Sequence, residues 1–319
     1  NITDSSILWS DNFDRQMDEV LVIWDEIALA VVDNLKIELF GEDRLVLTEK
    51  PTDSPEAFSL YSAGRVKVRM RGKQNLLDAI EDFKLAINKD PDYALAYSGI
   101  ADSYFLLATN SILPAEECFP QAKQAINTAL QLDDRLAEAH TSLAAILWAY
   151  EWDWDGAERE FERAIELNPR YAEAHHWYAL YLNSMGHFDE AIREIELARD
   201  LDPLYKRIIS NVSYVYNGAG LYDKALEASE EYREKFESNF GAYEWSSYLG
   251  KGMYEEALKI TESLNERARC LARIGRSDEA RQILNDLIDM EKSEYIRPTL
   301  LARLAFVLGD KDLGFKWLT

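Results

Sequence analysis

His140 and His175 stand 35 residues apart, with His176 beside the second. Imidazoles brought together in a fold can ligate a transition metal, but such a site needs further ligands and partners that orient the rings. The places these histidines hold in the chain's apolar pattern are packing places. Core or groove histidines are therefore the expectation, and neither a metal nor a cofactor is expected. Asp25 and Glu26 are adjacent carboxylates of the type used in acid–base chemistry. They lack a partner base, and the chain shows no glycine-rich phosphate loop and no nucleophile motif, so no catalytic residue is assigned and the chain reads as a non-enzyme. Trp148, Trp152 and Trp154 gather around one turn, where packing is the plain reading and ligand contact the alternative. Cys118 and Cys270 lie far apart, which fits a reducing compartment.

The elements that must position these residues are helices. Ala79, Ala122, Ala157, Ala191, Ala225, Ala257, Ala280 and Gly314 each open an amphipathic stretch, at spacings of 43, 35, 34, 34, 32, 23 and 34 residues. In residues 172–203, Tyr178 and Leu182 make one apolar stripe and small Ala179 allows a close helix crossing. Gly186 closes that helix, Ala191, Ile195 and Ala198 give the second helix its face, and Pro203 stops it. Residues 137–171 carry Leu143, Ala144, Ala157, Phe161, Ala164 and Pro169 in the same order with one extra residue in the turn EWDWDG. Ala79, Phe83, Ala86 and Pro91 begin the series. A period near 34 with these columns resembles the tetratricopeptide repeat, a pair of antiparallel helices that buries its apolar face only by stacking on its neighbours. The resemblance implies an all-α fold, an α-α superhelix, with about eight units in residues 55–319, the last incomplete.

Departures from the period mark irregular places. The 43-residue spacing predicts a projecting loop in TNSILPAEECF, and the 23-residue spacing predicts short helices between Ala257 and Ala280. Glu237 stands where a proline is usual, so the helix before it is expected to overrun.

Residues 1–54 do not fit the repeat. Val20, Trp24, Ile27, Val31 and Leu35 mark one helix face, opposite Asp18, Glu19, Asp25, Glu26 and Asp33. Ser54 and Pro55 form an N-cap and first helical position. Leu8, Trp9, Ser10, Phe13, Asp14 and Arg15, followed by Asp25, Glu26, Ile27 and Ala28, resemble the end of the TolB-like α/β domain of bacterial and archaeal signalling proteins, with Trp24 where Gln is usual. Such a tail supplies a short strand and helix remnant ahead of the repeats. YALAYSGIADSY, AEAHTSLA and the units after them look like the tetratricopeptide half of the same proteins. That resemblance implies a scaffold from a larger regulator whose output module lies elsewhere.

The net charge of −23 disfavours nucleic acid as a partner of this segment. It is uneven: residues before 60 hold fourteen Asp/Glu against four Lys/Arg, whereas Gly64–Lys73 holds five basic residues and no acid. The register places that run in the first helix of the first unit, as a solvated basic face or as a dock for the acidic segment. No apolar run approaches the roughly 20 residues that span a bilayer.

Function is expected along the first helices of the units, whose exposed faces line a concave groove. The inward positions select Asp102, Phe105, Glu138, Trp148, His176, Asn183, Arg207, Tyr214 and Asn217, with Asn211 adjacent. Asn, Tyr, Trp and Arg suit an extended peptide or protein segment. Chaperone-binding members of the class use a Lys/Asn/Arg clamp, and Gly64 and Val68 replace Lys and Asn here, which argues against that ligand. Three classes stay open: a cytoplasmic interaction scaffold within a signalling regulator, a periplasmic or envelope assembly protein, and the regulatory half of a cyclase or kinase. A homodimer is expected from the chain's ends, where Leu301, Leu304, Phe315, Trp317 and Leu318 lack a following helix and Ser5–Ser10 would offer a strand edge.

Overall fold

A computed structural model describes residues 51–237, 243–261, 263–293 and 296–318. Among them are sixteen α-helices and no strand. In chain order they pair as α1 (Pro55–Met70) and α2 (Lys73–Lys89), α3 (Ala94–Thr109) and α4 (Ala115–Leu132), α5 (Ala137–Ile146) and α6 (Trp154–Leu167), α7 (Ala172–Met185) and α8 (Phe188–Leu201). The series continues with α9 (Lys206–Gly218) and α10 (Tyr222–Phe236), α11 (Glu244–Gly250) and α12 (Tyr254–Ile260), α13 (Leu264–Arg273) and α14 (Ser277–Glu291), α15 (Pro298–Val307) and α16 (Lys311–Lys316). The chain divides into two compact units between Ile100 and Ala101, inside α3.

Two local devices repeat. The first is the small residue: the seven alanines of the spacing series are fully buried, and Gly314 is buried in the same place. A Cβ on Gly314 would come within 2.6 Å of the Phe306 ring, which shows how closely the two helices of a hairpin cross there. The second is the turn. Gly186, Gly220, Gly252, Gly275 and Gly309 have φ of 85, 73, 76, 84 and 78° and stand five residues before the small residue. In each, the residue after glycine donates its N–H to the carbonyl five positions back, at 2.9 Å for His187, Leu221, Arg276 and Asp310 and 2.8 Å for Met253. This is the left-handed C-cap that satisfies the last carbonyls of a helix, and glycine adopts it without a Cβ clash.

The extra residue of the EWDWDG turn is absorbed rather than looped out. Leu147–Glu151 widens into a π-helical turn, Asp153 N–H reaches back to Leu147 O at 3.1 Å, and Trp152 takes the left-handed place at φ 60°. Trp152 and Trp154 are 72% and 47% exposed, so the expected packed tryptophan cluster does not form; Trp148 alone turns inward.

Within the unit up to Ile100, Ser54 Oγ accepts from Ala57 N–H at 3.2 Å and Pro55 opens α1, as expected. Phe83 is wedged between Gly64 and Gly99, where an added Cβ would lie 2.6 Å from the ring at both sites. Lys67 from the basic run pairs with Asp82 at 2.5 Å, while Val66 and Met70 stay exposed. Docking of this run on the acidic amino-terminal segment, and every expectation for residues 1–50, lies outside the described residues.

In the unit from Ala101, one core cluster runs from Ala144 and Phe161 through Ile195 and Ile208 to Ala225, and a second joins Leu271, Leu284, Leu301 and Leu304. The short hairpin α11/α12 separates them, with helices of 7 residues each; the shortening that the 23-residue spacing predicted between Ala257 and Ala280 falls on α12, with 7 residues, and α13, with 10. First helices of successive hairpins pack on one another, α5 on α7, α7 on α9, α9 on α11 and α13 on α15, so they share one face of the superhelix.

Three expectations are corrected. The insertion TNSILPAEECF does not project as a loop, because α4 starts at Ala115 and buries Cys118 and Phe119; Glu116 and Glu117 in its first turn complement the helix dipole. Burial and those two carboxylates push the Cys118 thiol up to about 11, so it is inert at neutral pH. Second, α10 does not overrun: Glu237 adopts φ 49° and ends it at Phe236. Third, Leu301 and Leu304 are buried beneath their own hairpin and Trp317 packs against that core, leaving Phe315 and Leu318 exposed at 60% and 53%.

Candidate partner-binding face

Two histidines act as clamps. His140 holds Glu160 through Nδ1 at 2.6 Å and the Asp134 carbonyl through Nε2 at 2.9 Å. His175 repeats this with Glu194 at 2.6 Å and the Pro169 carbonyl at 2.9 Å. Both partners of each ring are acceptors, an arrangement that the protonated ring, donating from both nitrogens, satisfies in full. For His140 the bond to Glu160 raises the pKa against the cost of burial. For His175 burial is the largest influence and lowers it, but the bonds to Glu194 and Pro169 together outweigh it and the net shift is upward. Each clamp ties the turn before a first helix to the second helix of the same hairpin. With both nitrogens engaged, neither ring offers a lone pair to a metal. Among the described residues no cluster of three or more His, Cys, Asp or Glu side chains could hold a metal ion.

His176, one residue on, faces the neighbouring hairpin. It is 1% exposed and accepts from Asn211 Nδ2 at 2.7 Å through Nε2. Asn211 Oδ1 accepts from the Tyr243 hydroxyl at 3.3 Å, and Asn217 Nδ2 donates to the Tyr243 carbonyl at 3.3 Å. The Tyr243 ring lies 5.3 Å from Tyr214. Burial raises the Tyr243 pKa against the pull of Arg207. Polar groups of α7, α9 and the start of α11 thus form one connected layer, with Tyr214 exposed at 40% on top.

The remaining expected groove residues fall into two depths. Phe105 is 4% exposed, edge-on to Trp177 at 5.2 Å, and Asn183 is 9% exposed, lying where a Cβ on Gly218 would come within 2.0 Å of its Oδ1. Asp102, Glu138, Trp148, Arg207 and Asn217 are half-buried. Asp102 accepts from Ser142 Oγ at 2.5 Å, and Trp148 Nε1 donates to Ser184 Oγ at 3.1 Å. The face therefore consists of a buried lower layer, His176, Asn211, Asn183 and Phe105, under a reachable upper one.

Sequence reasoning missed Tyr243, Trp245, Arg269 and Arg303 on the same face. The signal was available in the register: Tyr214, Arg269 and Arg303 each stand eleven residues before the buried small residue of their hairpin. The 23-residue spacing broke the count from unit starts, whereas counting back from the small residue survives it.

Among known proteins, the tetratricopeptide-repeat family model matches residues 160–193. No curated protein matched the chain. Solved structures similar to it include TTC0263, a thermophilic TPR protein of Thermus thermophilus, at 18% identity over 64% of this chain and 100% of that one, with a TM-score of 0.48. PilW, a type IV pilus biogenesis factor, matches at 15% over 75% and 94%, with 0.44, and MamA at 25% over 55% and 94%, with 0.37. None of these matches extends the resemblance of the amino-terminal segment to TolB-like domains. Residues 160–193 are a tetratricopeptide repeat, set in a superhelix whose other hairpins share its buried small residue and, in four of them, its left-handed glycine turn.

Proposed function

We propose that the chain is a non-catalytic scaffold that holds a peptide or protein segment along the face shared by its first helices. The observation that carries this reading is the layer built from His176, Asn211, Tyr243 and Asn217, which supports exposed Tyr214 and has half-buried Arg207 beside Tyr243 on that face. Tyrosine and arginine on a rigid, hydrogen-bonded base are the groups that dominate interface energies. The setting proposed is a cytoplasmic regulator with its output module elsewhere; the name of PilW, a pilus biogenesis factor, keeps an envelope role as the competing setting. Nucleic acid is not the proposed ligand. Panning a random peptide library on the protein, then comparing affinities for Tyr214→Ala with Arg207→Ala, tests the face. The double variant should lose about 1–3 kcal/mol of binding with unchanged helicity. Selected peptides that bind parent and variant alike would refute the assignment.

Self-association is a second reading, favoured by the Phe306 and Phe315 rings, 5.2 Å apart and both exposed, beside exposed Leu318. Light scattering on Phe315→Glu at high micromolar concentration tests it, since this side chain lies outside the core that holds Trp317. A parent protein that is already monomeric there removes this reading.

A further inference from the structure

The first helices of the carboxy-terminal half carry a charge opposite to the chain as a whole. In α9, α11, α13 and α15 there are six Lys/Arg and two Asp/Glu, whereas α10, α12, α14 and α16 hold thirteen Asp/Glu and seven Lys/Arg. Arg269 and Arg303 occupy the same register position on α13 and α15, helices that pack on each other, and it is the position Tyr214 holds on α9. Arg269 is half-buried with its guanidinium carbon 4.9 Å over the Trp245 ring. Arg303 is exposed. Burial and the like charges of Arg303 and Arg273 lower the pKa of Arg269, against opposing pulls from Cys270 and from Glu266, whose half-buried carboxyl accepts from Thr261 at 2.6 Å. Neither Arg269 nor Arg303 forms an ion pair among the described residues. Two guanidinium groups at equivalent positions on packed helices are like charges, and an anion between them would be favoured.

We infer that the groove takes an acidic peptide segment, whose Asp or Glu carboxylates pair with Arg269 and Arg303 while Tyr214, Tyr243 and Trp245 pack on its backbone and apolar side chains. The inference rests on the groove reading above and specifies its partner. A guanidinium fork matches a carboxylate in bidentate geometry. The acid surplus on the flanking second helices repels a polyphosphate strand, which is long enough to meet it, and leaves a short acidic segment confined to the first-helix face as the better fit.

The test uses the full chain and fluorescence anisotropy with labelled peptides of equal length: alternating Glu and Leu, the same with Gln for Glu, the same with Lys for Glu, and an oligothymidylate. The Glu peptide should bind tightest and weaken with salt. Arg269→Gln with Arg303→Gln should weaken it about tenfold or more, and the double Lys variant, which keeps the charge but not the bidentate fork, should recover only part of that loss. Arg303→Gln alone, at an exposed position, gives the same direction without touching the core, and a thermal melt checks the fold of the Arg269 variants. Three peptides that bind alike, with loss on Tyr214→Ala but none on the arginine changes, would overturn the acidic specificity and leave the groove standing. Binding insensitive to both sets overturns both. Preference for the oligothymidylate, or no binding by the Glu peptide, overturns the inference.

Discussion

The hairpins α7/α8 and α11/α12 are the same turn with different lengths attached. Both have a left-handed glycine, at φ 85° and 76°, followed by a return hydrogen bond of 2.9 and 2.8 Å, and both bury their alanine, Ala191 or Ala257, completely. Yet α7 and α8 have 14 residues each against 7 and 7. Seven residues of α7 are buried, but only Ser247 of α11. The turn and the crossing are thus set locally by a glycine and a small residue five positions on. Stability is set by the side chains that additional turns bring to the core, since buried apolar area scales with them. On this comparison α11/α12 is the weak link between two better-packed blocks, and it also supplies Tyr243's neighbours on the binding face.

The comparison breaks or sharpens in five measurements. Phe161, fully buried with the Tyr178 and Tyr181 rings 5.5 and 5.8 Å away, anchors the strong block. Phe161→Ala should cost about 3–5 kcal/mol in urea unfolding, and native-state amide exchange should show α11 and α12 opening well before α7 and α8. Equal protection of the two hairpins would remove the distinction.

Next, Ala191→Leu overfills a crossing enclosed by long helices and should cost about 1–3 kcal/mol. Ala257→Leu should cost less, because the short helices can shift apart. Equal costs in denaturation midpoints would argue that the crossing, not the length, governs.

The histidine clamps lie in α5–α8. Because both folded pKa values are raised, the clamps contribute fully below the unfolded histidine pKa of about 6.5, and the contribution is lost as pH rises through the folded values. His175, the more buried of the two, should contribute about 1.5 kcal/mol at acid pH, and His140 less. Unfolding midpoints of the parent should therefore fall between mildly acid and alkaline pH, with little such trend in His140→Gln with His175→Gln. A parallel pH dependence in the double variant would contradict the clamp.

Gly186→Ala and Gly252→Ala should each cost about 1 kcal/mol from backbone strain alone, as no atom lies within 4 Å of the added methyl at either site. This is the one comparison in which the two hairpins should agree. A thermal-shift pair differing severalfold would show that the turns are not equivalent.

The smallest effect is expected at Arg297, which donates through Nε to Ser111 Oγ and through Nη2 to the Thr109 carbonyl, both at 2.7 Å. Both bonds are exposed, so Arg297→Ala should cost under about 1 kcal/mol. A larger loss would mean that this contact, 188 residues apart in sequence between Arg297 and Thr109, holds the array together more than its exposure suggests.

Much of the fold was legible. The spacing of eight small residues located every hairpin, because a crossing tolerates no larger side chain and leaves a mark in composition wherever it occurs. The short helices between Ala257 and Ala280, the cap at Ser54 and the basic run within α1 were readable for similar local reasons. The insertion before Ala122 was misread because turn residues and a helix start share polar residues there. Only the burial of Cys118 and Phe119 decides for helix. Likewise, Glu237 shows no sign in its own chemistry that it takes the left-handed stop usually held by other residues.

What the amino-acid sequence determined by itself was periodic: which helices pair, where each turns, and which residues belong to first helices. These depend on interactions within about ten residues, so they are written locally. Depth was decided only by tertiary structure. His175 and His176 are neighbours in sequence, yet one clamps its own hairpin to Glu194 and the other meets Asn211 of the next. Asn211 and Tyr214 share a helix, yet one is sealed beneath Tyr243 and the other stands exposed at 40%. Those outcomes follow from how neighbouring hairpins stack, and stacking depends on contacts between residues more than thirty positions apart that no local pattern encodes.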